Sequence, residues 1–216
     1  MVIKRTTLKK QVYEYLKEQI ILGNYKPGER LIEEKIAESL SVSRSPVREA
    51  IRMLEKDNFI TVHHSGGVNV VDPDIEDYMY LYEYRKEVEA AAAFYAARRR
   101  TEEHINAMES HLATMGDVNE KDFKVIHQSA GDFHSSIAQA SKNPFLIFTL
   151  SQLQGINTFY RRAILDYSEL YVKQAVEEHT HIFEAIKNGD EDQAKQLMRQ
   201  HIKNDYNRFH KLLNKE

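Results

Sequence analysis

The pattern of this chain changes character at "NVVDPDIEDY", residues 69–78, and that change constrains the fold more tightly than any other feature. Before it, apolar residues recur in short runs broken by glycine and proline. After it, strand signals vanish and long helical periodicities take over. Pro73 followed by Asp74 marks a turn and then a helix cap. The expected organisation is a mostly α chain of two modules, residues 1–73 and 74–216.

The first module reads as three helices and a hairpin. Leu8, Val12, Tyr15, Leu16 and Ile20 recur at helical spacing behind the cap candidates Thr6 and Thr7. Gly23, Pro27 and Gly28 then break the chain. A second helix over Glu33–Leu40 presents Ile36 and Leu40, and "SVS" separates it from a third, "RSPVREAIRMLEKDN". In "FITVHHSGGVNVV", β-branched residues flank Ser65, Gly66 and Gly67, as in a two-stranded hairpin. The second module is punctuated at "RRRTEEH", "MGDVNEK", "SKNPF", "LDYSE" and "KNGDED". That spacing predicts about six helices in an antiparallel bundle joined by short connections. The run "EAAAAFYAARRR" reads as a tightly packed helix face.

Composition narrows the functional classes. With no cysteine, a disulfide framework and a thiolate zinc site are both excluded. No apolar run approaches the roughly 18 residues that span a bilayer, and the first residues lack the apolar core of a signal peptide. The expectation is a cytoplasmic protein with no membrane partner. The net charge of -3 argues, taken alone, against nucleic acid, but it conceals a division. Residues 1–71 hold 12 Lys and Arg against 9 Asp and Glu, a balance of +3, which leaves -6 for the remainder. A basic segment followed by an acidic one suggests modules with different partners.

The third helix carries the strongest functional signal. Val47, Ala50, Ile51 and Leu54 form an apolar stripe, while Arg44, Arg48 and Arg52 stand four apart, about 110° round the helix. One face packs and a neighbouring face offers guanidinium groups. Pro46 suits the first turn, and Ser43 or Ser45 can cap its free donors. A helix of this kind, behind a three-residue turn and ahead of a glycine-tipped hairpin, is laid out as the recognition helix of a winged helix-turn-helix. Its N-terminal end would enter the major groove, where arginine meets guanine edges.

The stretch "YKPGERLIEEKIAESLSVSRSPVREAIRMLEKDNFI" is similar to the DNA-binding domain of the GntR family of bacterial regulators, a likeness that covers nearly all of residues 8–71. It implies that Arg44 and Arg48 reach base edges, that Ser43 and Ser45 hold phosphates, and that His64 and Gly66 in the wing approach the minor groove. Asn58 stands where the family usually has glycine. Asparagine tolerates the left-handed conformation better than most residues, so the helix end should survive the exchange.

In the second module three histidines fall on inward stripes. His134 lies with Phe123, Ile126, Ala130, Phe133 and Ile137; His179 with Val172, Ala175, Val176, Ile182, Phe183 and Ile186; His201 with Ala194, Leu197, Met198, Ile202 and Phe209. His179 is ten residues before Gly189 and His201 twelve after it, so the two should face each other at similar height. Each histidine by itself fits a satisfied core position. Three imidazoles from three helices meeting in one core suit a divalent metal such as zinc, nickel or manganese, with coordination positions left open.

The segments "EYRKEVEAAAAFYAA", "FHSSIAQASKNPFL" and "EEHTHIFEAIKNGDEDQAKQLMRQHI" resemble the all-helical FCD ligand-binding domain of the FadR-like branch of GntR regulators, over roughly residues 74–205. The resemblance implies a metal held by one aspartate and three histidines, and the histidine positions match His134, His179 and His201. The aspartate of its Asp-x-x-Phe-His pattern is replaced by Ala130. Asp132 sits on another face, and His127 lies about 10 Å along the axis from His134. Water or the effector's own carboxylate could fill the missing position. Arg85 matches the arginine of the family's Arg-x-x-Leu-Glu pattern, here with Val88 and Glu89. It reads either as a partner of Glu89 or as a clamp on an effector carboxylate. Arg161 and Arg162 are weaker candidates for the same cavity.

The combined expectation is a homodimeric transcription regulator, a repressor, that binds a pseudo-palindromic double-stranded DNA operator under the control of a small-molecule effector, an organic acid. Two rival classes differ from it in what they require. A three-histidine metallo-hydrolase with a targeting winged helix needs a general base beside the metal-bound water, and the stripes place no inward Glu or Asp near the histidines. An architectural DNA-binding protein needs no effector cavity.

Overall fold

The computed structural model describes residues 6–64, 66–116, 123–164 and 169–214, and these divide into two compact units. One takes the described residues up to Asp74 together with Gly155–Ile164; the other takes Ile75–Gln154 and the described residues after Ile164.

The first unit opens with α1 (Leu8–Ile21), which buries Val12, Tyr13, Leu16 and Ile20. The sequence pattern places Leu8 and Tyr15 on that stripe, yet both are exposed and Tyr13 turns inward instead. A partner decides the exchange, because a buried phenol needs one: the Tyr13 hydroxyl donates to Asp57, the C-terminal cap of α3. α2 (Glu33–Ser39) and α3 (Arg44–Lys56) follow, with Ile36 and Ala37 of the one packing near Val47, Ala50, Ile51 and Leu54 of the other. The turn between them is made by Ser41 at φ 53°. Its N–H donates to Glu38 and that of Val42 to Ala37, so the last carbonyls of α2 are satisfied before the chain reverses. α3 ends the same way on Asn58 at φ 58°, in the left-handed conformation expected of it.

The hairpin is formed by β2 (Ile60–Val62) and β3 (Val68–Val70). A third strand, β1 (Arg30–Leu31), pairs antiparallel on the other edge of β3, giving the order β1-β3-β2 with Leu31 opposite Val68 and Ile60 opposite Val70. The sequence reading treats this segment only as a break. Two residues are too short to show alternation, so the strand exists through its partner.

The second unit is an all-α bundle built from α4 (Ile75–Arg99), α5 (Glu102–Gly116), α6 (Phe123–Ala140), the first part of α7 (Pro144–Ile164), α8 (Glu169–Asn188) and α9 (Glu191–Asn214). α4 packs against α6, α8 and α9, while α5 lies on α6 and α8. Ala90, Ala92, Ala93, Ala96 and Ala97 are buried along α4, so small side chains let the neighbouring helices approach.

The α8–α9 turn has a specific chemistry. Gly189 sits at φ 78°, its N–H donating to Ile186 and that of Asp190 to Ala185. Asp190 then caps α9 by accepting from the Gln193 N–H at 3.0 Å. The reversal brings α8 and α9 side by side and sets His179 level with His201. No helix of the described residues is long and apolar enough to cross a membrane.

Candidate functional site

Among the described residues, each unit carries a concentration of chemistry. In the first unit it is the exposed N-terminal end of α3. Ser43, Arg44, Ser45 and Arg48 are all exposed there. Ser43 occupies the N-cap position, but its side chain makes no capping bond. Of the two cap candidates, Ser43 therefore does not cap, and its hydroxyl stays available to an outside acceptor. The Arg48 Nε reaches Glu33 at 3.3 Å, and Arg44 lies 3.8 Å from Glu33 and 3.9 Å from Glu34. Such solvent-exposed pairs contribute little, about 0–1 kcal/mol, so a stronger anion can take the guanidinium groups over. The hairpin tip is closed by a bond from the His63 N–H to Gly67 and another from the Gly66 N–H to His63. His64 and Gly66 project there, exposed.

In the second unit the chemistry is enclosed. His179 and His201 are buried and His134 is nearly so. Their candidate ligand nitrogens all lie within 4.8 Å of one another. His179 Nε2 is the central atom, 3.1 Å from His134 Nε2 and 3.1 Å from His201 Nε2. These are the three histidines singled out in the sequence, brought together by α6, α8 and α9.

The outer nitrogens explain the inner ones. His201 Nδ1 donates to Glu178 Oε2 at 2.7 Å. His134 Nδ1 lies 2.5 Å from Glu89 Oε2, within ion-pair reach although without the alignment of a straight hydrogen bond. An ionised carboxylate only accepts, so the proton belongs on Nδ1 and the lone pair on Nε2. Two Nε2 lone pairs then face a third imidazole, which has at most one proton to give. A cation at the centre would satisfy all three nitrogens together. Zinc–nitrogen bonds of about 2.0–2.1 Å at a tetrahedral angle separate the nitrogens by about 3.3 Å, close to the 3.1 Å between His179 Nε2 and each of the other two. The residues present therefore fit a divalent metal.

Electrostatics points the same way. Burial, then the neighbouring imidazoles, press the His179 pKa well below its ordinary value, and burial lowers that of His201 despite Glu178. Neutral imidazoles are the form that ligates. Burial pushes Glu89 up, but Arg85 and His134 outweigh it and hold the carboxyl at about 2. For Glu178, burial is outweighed by hydrogen bonds from His201 and Arg208, again leaving about 2. Both carboxylates are ionised at neutral pH.

This arrangement corrects one expectation. The sequence stripes place no acid beside the histidines, yet Glu89 and Asp205 are buried there and Glu178 is partly so. Glu89 and Glu178 turn to the outer nitrogens. Glu89 follows Arg85 by one turn of α4, and Asp205 follows His201 by one turn of α9. Glu178 escaped notice because it neighbours His179 in sequence but serves His201. The one available signal was the spacing of His201, Asn204 and Arg208 along a face of α9.

Arg85 is buried, 2.7 Å from Glu89 and 3.7 Å from Asp205. Burial opposes its charge, but these carboxylates raise its pKa. A carboxylate effector would have to share or displace one of these partners. Ala130 stands one turn before His134 and offers no ligand atom. Asp132 instead accepts from Gln128 at 3.1 Å. Arg161 is half-buried, and the side chains of His127 and Arg162 lie outside the described residues.

Comparison with known proteins covers both units. Residues 8–70 match the model described as bacterial regulatory proteins, gntR family, and residues 80–204 match the FCD domain. The chain is 31% identical over 205 residues to YdhC of Bacillus subtilis, an uncharacterized HTH-type transcriptional regulator, across 90% of this chain and 88% of that protein. It is 28% identical over 205 residues to the galactonate operon transcriptional repressor of Escherichia coli, across 84% and 87%. Among solved structures, E. coli McbR/YncC superposes with a TM-score of 0.79 at 25% identity, covering 96% of this chain and 99% of that one.

Proposed function

Because the chain belongs to the GntR family and carries an FCD domain, and so is a non-catalytic DNA-binding transcriptional regulator with a ligand-responsive C-terminal domain, we propose that it is a cytoplasmic, homodimeric repressor of the FadR-like branch, controlled by a small organic acid. Residues 1–73 form the DNA-reading domain and residues 74–216 the sensing and dimerising domain. Arg44 and Arg48 read base edges, Ser43 and Ser45 hold phosphates, and His64 and Gly66 follow the minor groove of a pseudo-palindromic operator.

The observation that carries this reading is the convergence of three histidine Nε2 atoms, two of whose rings, His134 and His201, turn their outer nitrogens to carboxylates. His134, His179 and His201 would hold one divalent ion, zinc, nickel or manganese, which when bound supplies a positive centre for an anionic effector. Imidazole ligates in its neutral form, and of the nearby carboxylates Glu89 and Asp205 share Arg85 while Glu178 is paired with Arg208. The charge of a divalent ion is thus only partly cancelled, which favours an anion. One similar protein is a galactonate operon transcriptional repressor, and galactonate is a sugar-acid anion. Arg85 borders the same site as the cation an effector carboxylate would recruit. Effector binding shifts the equilibrium between arrangements of the two reading domains in the dimer, and with it operator affinity.

A thermal-shift screen of organic acids, run with and without added metal and followed by gel shifts on DNA flanking the gene, tests the proposal. A metal-dependent acid that releases the DNA is the expected result. No response to any acid, with metal absent from protein purified without a histidine tag, would overturn it.

A further inference from the structure

Glu178 is held at both of its carboxylate oxygens. Its Oε2 accepts from His201 Nδ1 at 2.7 Å and from Arg208 at 2.9 Å, and its Oε1 accepts from Asn204 at 2.7 Å and from Arg208 at 2.8 Å. His201, Asn204 and Arg208 stand at i, i+3 and i+7 on α9, so one face of that helix is devoted to a single carboxylate on α8. The carboxylate is only partly buried, its side chain 21% exposed. A pair needed only to join the helices would not need to end on an imidazole.

Resting on the reading of the histidine cluster as a metal centre, we propose that Glu178 is its principal positioning residue. Accepting the Nδ1 proton fixes the tautomer of His201, points Nε2 at the common centre and makes that nitrogen a better donor. Arg208 and Asn204 fix the carboxylate in turn, so the orientation passes from Arg208 through Glu178 to His201. Glu89 is the weaker counterpart at His134: it comes as close, but its contact lacks alignment, and it is shared with Arg85. His179 Nδ1 has no hydrogen-bond partner among the described residues. That ring is held by packing, with the Phe133 centroid 4.9 Å away. The three ligands are therefore graded: His201 is fixed by a saturated carboxylate, His134 by a looser one and His179 by contact alone.

The test uses full-length protein stripped of metal and titrated with Zn²⁺ in competition with a chromophoric chelator, alongside Co²⁺ absorption spectra and thermal melting of the metal-free form. Wild type should take one ion per chain. Glu178→Gln, nearly isosteric, should weaken binding about 10–100-fold at unchanged stoichiometry and alter the Co²⁺ spectrum, and Glu178→Asp should recover part of the loss. Glu178→Gln binding Zn²⁺ within about twofold of wild type, with only a lower melting temperature, would show a structural strut and overturn the proposal. If wild type itself bound no Zn²⁺ or Co²⁺, the metal centre would fall first, and Glu178 with it. Should Glu178→Gln fold poorly, Arg208→Lys interrogates the same chain of bonds from its outer end: a weaker site supports the proposal, and an unchanged one counts against it.

Discussion

The N-terminal end of α3 and the histidine cluster both gather charged and polar side chains, yet they treat solvent in opposite ways. On α3 the arginines are more than half exposed and lean on Glu33 and Glu34 across 3.3–3.9 Å. In the cluster, Arg85, Glu89, His179, His201 and Asp205 are buried, and each is tied to a neighbour. Under the proposed function, the difference follows from the partner each site awaits. DNA brings its own charge to an open face, so the reader needs replaceable companions. A small ligand enclosed in a bundle meets groups that must already be compensated, because an uncompensated buried charge costs several kcal/mol. On α3, the proposed function should be removable without disturbing the fold. In the cluster the two are joined.

The largest effect expected from this contrast is on stability. Arg85→Met leaves Glu89 and Asp205 buried without their shared cation, a change of the class that costs about 3–5 kcal/mol. Denaturant unfolding of the metal-free protein measures it. The network continues beyond Arg85, since Tyr82 donates to Asp205 at 2.5 Å and Tyr78 to Tyr82 at 2.7 Å. A loss below about 1 kcal/mol would mean that these groups rearrange freely, and the contrast with α3 would break.

On the reader, Arg44→Ala should cost about 1–3 kcal/mol of specific DNA binding while changing stability by no more than about 0.5 kcal/mol. Gel shift and thermal melting on one preparation give both numbers. A large fall in stability would show that the arginine is structural and α3 less separable than its exposure indicates. Tyr13→Phe probes a place where this unit partly buries a polar pair. Burial, then the bond to Asp57, raises the Tyr13 pKa above its ordinary 10. That contribution is complete below about pH 10 and is lost as pH climbs through the folded-state value. The variant should be less stable by about 0.5–1.5 kcal/mol at neutral pH, with the gap narrowing above pH 10. Curves that stayed parallel would unlink the phenol from folding.

The same contrast explains what the sequence could disclose. Periodicity is a record of burial, so α3, its arginine face and the three inward histidines were legible, and so was the α8–α9 reversal that levels His179 with His201. Asn58 was legible because one residue's conformational tolerance decides it. The short strand at Arg30–Leu31 was not, since its existence depends on β3, far along the chain. Glu178 was not, because a carboxylate at a polar-looking helical position gives no sign that it turns toward a neighbouring helix. Tyr13 was missing from the expected stripe for the same reason: Asp57, 44 positions on, holds it inside. Contacts fixed by local pattern were visible; those fixed by a distant polar partner were not.

The smallest effect sharpens the comparison most, because it concerns groups that contribute almost nothing to the free protein. Glu33 stands 22% exposed beside both arginines. In Glu33→Gln the exposed ion pairs disappear at a cost within about 0–1 kcal/mol. DNA binding should strengthen a few-fold, because the arginines no longer leave a carboxylate to meet a phosphate or a base, and one negative charge is gone from a surface that approaches a polyanion. That gain should shrink as salt is raised, as phosphate-directed electrostatics does. Weaker binding would give Glu33 the opposite role, holding Arg44 and Arg48 in the orientation that reads bases, and the reader would then be preorganised as the cluster is. The sign of this one change decides whether the companions of the arginines are placeholders or guides.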